Sequence, residues 1–338
     1  MRYVFLFLVC SFSVSAQLKG TISDSEHQPI PYVNIYIENS YTGTTSNEQG
    51  DYELALPQPG TYTIVFQFLG FKTQTKTIKI DRFPHRLNIQ LEEEIISLNE
   101  VVVNANENPA NRIIKASIAA RKSHLEAINS YAADFYSKGL IRIKNAPEKF
   151  MGQEVEFDVE LDSTRSGIIY LSETISKIKY QKPDKLSEKI IASKVSGDSN
   201  GFSFNNASDV DYNFYMNTIG VVNSEIVSPI ATYAFNYYRY KLEGVFYDNR
   251  GNLIHKIQVI PRRENDRVFS GIIYIVEDQW SIYGLELQVT GSQIQTPAAD
   301  LVTIKQNLSY DEKTDFWLVR SQTIGFEYKI LGFEGDGN

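Results

Sequence analysis

Apolar and polar positions alternate along residues 237–290 in a pattern that predicts four antiparallel strands, with a turn signal at each joint. Tyr238, Tyr240, Leu242 and Phe246 fall on one face at period two, and Arg239, Lys241 and Glu243 on the other. Asp248-Asn249-Arg250-Gly251-Asn252 is hairpin chemistry, because Asn, Asp and Gly accept the backbone angles of a tight reversal. The strand Leu253–Ile260 stops at Pro261, which has no amide hydrogen to give a ladder. Val268–Glu277 is apolar on both faces, as a strand covered on both sides would be. Trp280–Thr290 returns to alternation, with Tyr283, Leu285, Leu287 and Val289 inward. A meander of this kind needs a cover on one face.

The cover is predicted just upstream. Asn108 can cap a helix and Pro109 suits its first position. Ile114, Ile118, Leu125 and Ile128 then form one stripe with Arg121 at its edge, while Arg112, Lys115 and Lys122 make the other side basic. Strands are expected at Tyr131–Ile143, Gln153–Asp162, Gly167–Tyr180 and Trp317–Tyr328. Between the amino terminus and this region, short strands recur at Lys19–Ser23, Tyr32–Glu38, Gly50–Leu56, Gly60–Leu69, Thr73–Ile80 and Leu87–Leu91, the spacing of a small β-sandwich.

Composition narrows the class. The chain has 338 residues, 42% hydrophobic and 22% charged, which is globular and long enough for about two domains. A net charge of −8 argues against nucleic acid as a partner, since phosphate binding needs clustered Lys and Arg. Residues 1–16 read as a signal peptide: basic Arg2, the apolar run Tyr3–Val14, too short to span a bilayer, and a small-residue cleavage site before Gln17. Cys10, the only cysteine, leaves with it, so the exported chain is expected to hold no disulfide. The expected order is therefore a signal peptide at 1–16, a β-sandwich at 17–91, a linker at 92–107 and an α+β domain at 108–338.

Several residues resemble known families. Gly20, Asp24, Pro29-Ile30-Pro31, the Gly43–Gly50 loop, Gly60-Thr61-Tyr62 and Leu69-Gly70-Phe71 stand in an order that resembles the carboxypeptidase-regulatory-like domain, a transthyretin-like sandwich of carbohydrate-binding-like fold. That resemblance implies an accessory module and no protease. The run Leu98–Val103 resembles the segment that joins this domain to the plug of TonB-dependent outer-membrane receptors, but a helix follows it here. The strand pattern from Tyr238 to Trp280 resembles the lipoprotein-carrier and sigma-regulator half-barrels of the periplasm. Ser166–Glu173, Gln181–Asp184, Lys194–Gly197 and Val259–Arg263 make the chain similar to an uncharacterised family of Bacteroidetes envelope proteins. Members usually continue into a β-rich region thought to form an outer-membrane barrel. The implied fold is mainly β: an Ig/transthyretin-like sandwich plus an antiparallel half-barrel-like α+β domain with one covering helix, and the resemblance implies either a product truncated before a barrel or a stand-alone periplasmic part.

Candidate chemistry is sparse. The four histidines His27, His85, His124 and His255 show no zinc-ligand spacing. Tyr32, Tyr36 and Tyr41 could present rings to a sugar, but strand packing explains them as well. Glu154, Glu156, Asp158, Glu160 and Asp162 put five acids on one face of a predicted strand; strung out along it they cannot converge on one calcium ion, and Lys177 and Lys179 are available to face them. Gly197-Asp198-Ser199-Asn200-Gly201 matches a hydrolase elbow pattern, yet Phe202-Ser203-Phe204 is no helix start. His255 shares a face with Ile257 and Val259 and reads as a packed strand residue. Arg262, Arg263 and Arg267 crowd one loop, where they could meet lipid phosphates, but Glu264 and Asp266 lie between them. The sequence thus assigns no catalytic, cofactor or metal residue and no cofactor. It points to a non-enzymatic envelope module of the periplasm, associated with the outer membrane, with outer-membrane or periplasmic proteins as partners. A lipid or acyl-chain carrier, with Tyr238, Tyr240, Phe246 and Tyr283 lining a concavity, is the alternative; a fragment of a TonB-dependent-receptor-like protein is another. A hydrolase using Ser199 ranks last.

Overall fold

The computed structural model describes residues 17–38, 40, 42–94, 108–155, 157, 159–183, 185–197, 206–312 and 314–338. The expected signal peptide with Cys10, Tyr41, the Leu98–Val103 run, Glu156, Asp158, Asp184 and the Ser199 loop lie outside these residues. Two units meet at Glu94 in the sequence.

The first unit is a sandwich of short strands: β1 (Gln17–Ser23), β2 (Asn34–Ile37), β3 (Gly43–Thr45), β4 (Asp51–Ala55), β5 (Gly60–Gln67), β6 (Gln74–Ile80), β7 (His85–Arg86) and β8 (Ile89–Gln90). One sheet runs β4-β1-β7, with β8 also on β1, and the other β3-β2-β5-β6. Alternation sends Leu18, Ile22 and Leu54 of one sheet inward to meet Ile35, Ile64, Phe66 and Ile80 of the other, all buried. At about 1.5–3 kcal/mol for each fully buried side chain, this row holds the unit without a disulfide. The Tyr52 hydroxyl donates to the Leu87 carbonyl (2.7 Å) across Gly20. A Cβ on Gly20 would stand 1.8 Å from that same oxygen, so only glycine lets the chain pass there. Strand β3 falls inside what the sequence reads as a loop.

The second unit begins with α1 (Pro109–Ala127), capped by Asn108, whose side chain accepts the Ala110 amide (3.0 Å). Its strands are β9 (Ser130–Lys144), β10 (Lys149–Phe150), β11 (Gln153–Glu154), β12 (Gly167–Gln181), β13 (Lys185–Gly197), β14 (Thr218–Val221), β15 (Ser224–Val227), β16 (Tyr238–Tyr247), β17 (Leu253–Pro261), β18 (Ser270–Val276), β19 (Ile282–Thr290), β20 (Ala299–Asp311), β21 (Phe316–Ile330) and β22 (Phe333–Gly337). Ten of them form one antiparallel sheet in the order β13-β12-β9-β22-β21-β20-β19-β18-β17-β16. The fold is mainly β with one helix, as the patterning predicts.

Four details differ from the sequence reading. Phe246 is not on the face of Tyr238 and Tyr240. Leu242 pairs with Ile257 but Gly244 pairs with Lys256, so Glu243 is an extra residue and every later side chain of β16 changes face. Among its described residues the acidic stretch is strand only at β11, which pairs with Lys149–Phe150 in a small hairpin; Asp162 instead closes a turn, accepting from the Thr164 and Ser166 amides (2.8 and 2.9 Å). Lys177 meets Asp134 of β9 (2.9 Å), not that stretch. On α1 the buried stripe is Ala110, Ile113, Ile114 and Ser117, one step round from the predicted one.

The last strand is wedged into the sheet's interior. β22 pairs with β21 on one side and β9 on the other. A Cβ on Gly335 would meet the Arg142 carbonyl at 2.0 Å and the Tyr328 phenol at 2.5 Å. The missing side chain leaves room for the Tyr328 ring, whose hydroxyl donates to that carbonyl (3.1 Å). One face of the sheet carries cross-strand ion pairs: Lys177–Asp134 and Lys138–Glu173 between β9 and β12, Lys305–Glu286 between β19 and β20, Lys329–Glu334 between β21 and β22. The other carries most of the core, although Phe246, Ile254 and Tyr274 are buried on the ion-pair side at the β16–β18 end.

Candidate functional site

The core face of β16–β21 is occupied by the protein's own chain. Residues 206–236, an irregular stretch holding the β14–β15 hairpin, bury Phe214, Ile219, Val221, Ile226, Ile230, Ala231 and Ala234. Side chains of the sheet satisfy the backbone of this stretch, as burial requires. Tyr238 donates to the Val227 carbonyl and accepts from the Phe269 amide (3.0 Å). Tyr240 donates to the Pro229 carbonyl (2.7 Å). Gln306 and Gln322 donate to the Tyr212 and Val210 carbonyls (2.7 and 2.6 Å). Burial raises both phenols well above the ordinary tyrosine range, so they remain protonated donors. Tyr238 and Tyr240, expected to line a concavity, are therefore fasteners, and Tyr283 packs on Phe246 and Trp317 (5.9 and 5.3 Å between ring centres).

The second construction seats α1 against β16 and the turn from Glu277 to Ser281. Asn108 donates to the Tyr240 carbonyl (2.8 Å), and Arg112 reaches the Glu277 carboxylate with both terminal nitrogens (3.3 Å) while its guanidinium lies 5.5 Å from the Trp280 ring. Ser117, buried in the middle of the stripe, donates to the Trp280 carbonyl (3.0 Å). His124 meets the Gln279 carbonyl (3.2 Å) with its ring 5.0 Å from Tyr215. The turn holds two non-glycine residues in the left-handed region, Asp278 (φ 64°) and Trp280 (φ 55°), at about 1 kcal/mol or more each.

His255 belongs to this construction. It is 4% exposed, lies between Val245 and Ile275 by register, and its Nε2 contacts Glu277, the carboxylate that also holds Arg112. Its Nδ1 has no hydrogen-bond partner among the described residues. Burial pushes the imidazole below its ordinary pKa, against the pull of Glu277, and Arg112 pushes the same way. Burial also lowers His124, opposed by its bond with Gln279. The sequence reading of His255 as a packed strand residue missed Glu277 and Arg112. The link was latent in the meander: with His255 opposite Ile275, Glu277 stands two residues on.

The other residues weighed from sequence stand apart. Arg262 donates to the Phe235 and Tyr238 carbonyls (2.8 and 3.1 Å), and Arg263 faces Asp266 (3.8 Å), so both serve their own loop. His27 is in a turn and His85 in β7. Tyr32 takes a left-handed backbone and Tyr36 sits in β2. Among the described residues, no group of three or more His, Cys, Asp or Glu is placed to hold a metal ion.

Residues 113–338 match the family of unknown function DUF5686, two thirds of the chain. The chain belongs to the DUF5686 family. Residues 18–103 match the CarboxypepD_reg-like domain, which confirms the resemblance carried by Gly20, the Gly43–Gly50 loop and Leu69-Gly70-Phe71. Two curated relatives are TonB-dependent receptors of Formosa agariphila: P39 is 31% identical over 108 residues, 30% of this chain and 10% of the receptor, and P3 is 30% identical over 125 residues, 36% and 12%. The chain thus spans only about a tenth of the receptors it matches. Solved structures that resemble the DUF5686 protein include a putative carbohydrate binding protein from Bacteroides uniformis (10% identity, 54% of this chain, 99% of that one, TM-score 0.21). Another is a putative outer membrane lipoprotein-sorting protein domain from Vibrio parahaemolyticus (8% identity, 67% and 90%, TM-score 0.22); at such scores neither likeness carries weight.

Proposed function

We propose that this protein is a non-catalytic module of the cell envelope, associated with the outer membrane and working by binding another envelope protein. The observation that carries this reading is the CarboxypepD_reg-like domain at residues 18–103, an accessory type of domain, in a chain with sequence similarity to TonB-dependent receptors. The predicted signal peptide agrees with it. The cross-strand ion pairs of the large sheet, whose side chains are partly exposed, agree with it as well. An acyl-chain carrier draws no support from the core face, because Tyr238 and Tyr240 fasten Val227 and Pro229 in place and Phe246 stands on the opposite face.

The test is fractionation of cells making the chain with its own first 16 residues, followed by cross-linking in the outer-membrane fraction. Mature protein beginning at Gln17, recovered with that fraction and cross-linked to a defined outer-membrane protein, supports the proposal. A cytoplasmic pool with an intact leader refutes it. The receptor-fragment reading is favoured by the similarity to P39, and it predicts that the cross-linked partner is itself a TonB-dependent receptor or a segment continuous with this chain.

A further inference from the structure

We propose that α1 is held to the sheet by an acid-labile clasp, in which His255 and His124 must both be neutral for the helix to stay seated on the Glu277–Ser281 turn. The helix is tied to this turn at three levels: Arg112 at its start, Ser117 in its middle and His124 near its end. His255 supports the first tie from below. Neutral His255 keeps its single proton on Nε2 and donates it to Glu277, leaving the carboxylate's other oxygen for Arg112. A second proton would have to sit on Nδ1, which is buried between Val245 and Ile275 with no acceptor among the described residues. The charged groups facing the ring are Glu277 from the end of β18 and Arg112 from α1; the first attracts the new charge and the second repels it. At the far end His124 faces the Gln279 carbonyl, the Ser281 hydroxyl (3.5 Å) and the Tyr215 ring, with no carboxylate among them to balance a positive charge. Lifting the helix exposes both rings and lets them charge. It also frees a turn that Asp278 and Trp280 hold in left-handed geometry.

The sign follows from linkage. A histidine whose pKa in the closed form is below that in the open form binds more protons when open. The closed form is therefore at full strength above about pH 6.5, the ordinary imidazole value, and loses ground as pH falls below it. Hydrogen exchange of residues 109–127 in the intact mature chain, corrected for the pH dependence of exchange itself, reads this directly. The expected result is a protection factor for α1 that drops by roughly tenfold to a hundredfold between pH 7.5 and pH 5.5, up to about tenfold from each histidine, while β17 and β18 keep theirs. The double variant His255→Gln/His124→Gln retains neutral hydrogen-bonding side chains but nothing that titrates, and is expected to lose the drop. An unchanged helix in the wild type, or an equal drop in the double variant, overturns the proposal. Should the variant fail to fold, imidazole NMR of the wild type decides. His255 titrating at or above pH 6.5 with the helix still protected also refutes the clasp; titration only as helix protection is lost supports it.

Discussion

The Tyr238 hydroxyl sits between two backbone groups of distant segments, the Val227 carbonyl and the Phe269 amide. Tyr238→Phe preserves the ring and strands both groups in the core. An unpaired buried donor or acceptor costs about 1–3 kcal/mol, so the loss expected in urea unfolding is roughly 2–4 kcal/mol. Tyr310→Phe is the contrast. Its hydroxyl meets Asp315 at the surface, and its ring packs on Trp317 and under Arg250 whether or not the oxygen is there. That change is expected to stay within about 0.5 kcal/mol. Gly335→Ala presses a methyl against the Arg142 carbonyl and the Tyr328 ring, so β22 must move or Tyr328 must leave. The expected readout is accelerated amide exchange confined to β22, β21 and β9. None of these consequences is visible in local sequence, because each depends on an atom brought from another strand.

At the scale of elements, the cap of α1 was legible and has a measurable worth. Asn108→Ala removes the bond to Ala110 and the tie to the Tyr240 carbonyl, and is expected to cost about 1–2 kcal/mol, with fraying concentrated in the first helical turn by hydrogen exchange. The meander was legible for the same kind of reason: one side of each strand is core, and period two records it. The pattern failed where that condition failed. Strand β13 carries Ile190, Ile191 and Val195 about half exposed, so no side of it reads as inward. The extra residue at Glu243 leaves Phe246 looking in phase with Tyr238 when the backbone has already changed face. Outside the β14–β15 hairpin, residues 206–236 fill the core without a ladder, and the Val210, Tyr212 and Pro229 carbonyls are satisfied by glutamine and tyrosine side chains instead. The helix stripe shifted by one step because Ser117, a polar residue, occupies its centre to reach Trp280. The site at His255 stayed hidden for a related reason: its partners Glu277 and Arg112 are charged, and charged positions read as surface.

At the scale of the molecule, the sandwich has a closed core of its own, with Leu18, Leu54, Ile64 and Phe66 buried among one another. Residues 17–94 expressed alone are therefore expected to fold, with a single cooperative transition in a thermal melt and the strand signature in circular dichroism. The larger unit obeys a different rule. Its sheet is joined in the middle by β22, the last strand of the chain, lying between β21 and β9, where Leu140 and Asn338 exchange both of their backbone hydrogen bonds (2.7 and 2.9 Å). β21 ends two residues before β22 begins, so one side of the seam is a continuous meander, whereas β9, the strand across it, lies 190 residues upstream where Lys144 pairs with Glu334. Loop closure across most of the unit's sequence must therefore precede the zipping of the seam. Until that seam closes, β9 and β22 each present an open edge, so the two halves of the sheet depend on each other for cover.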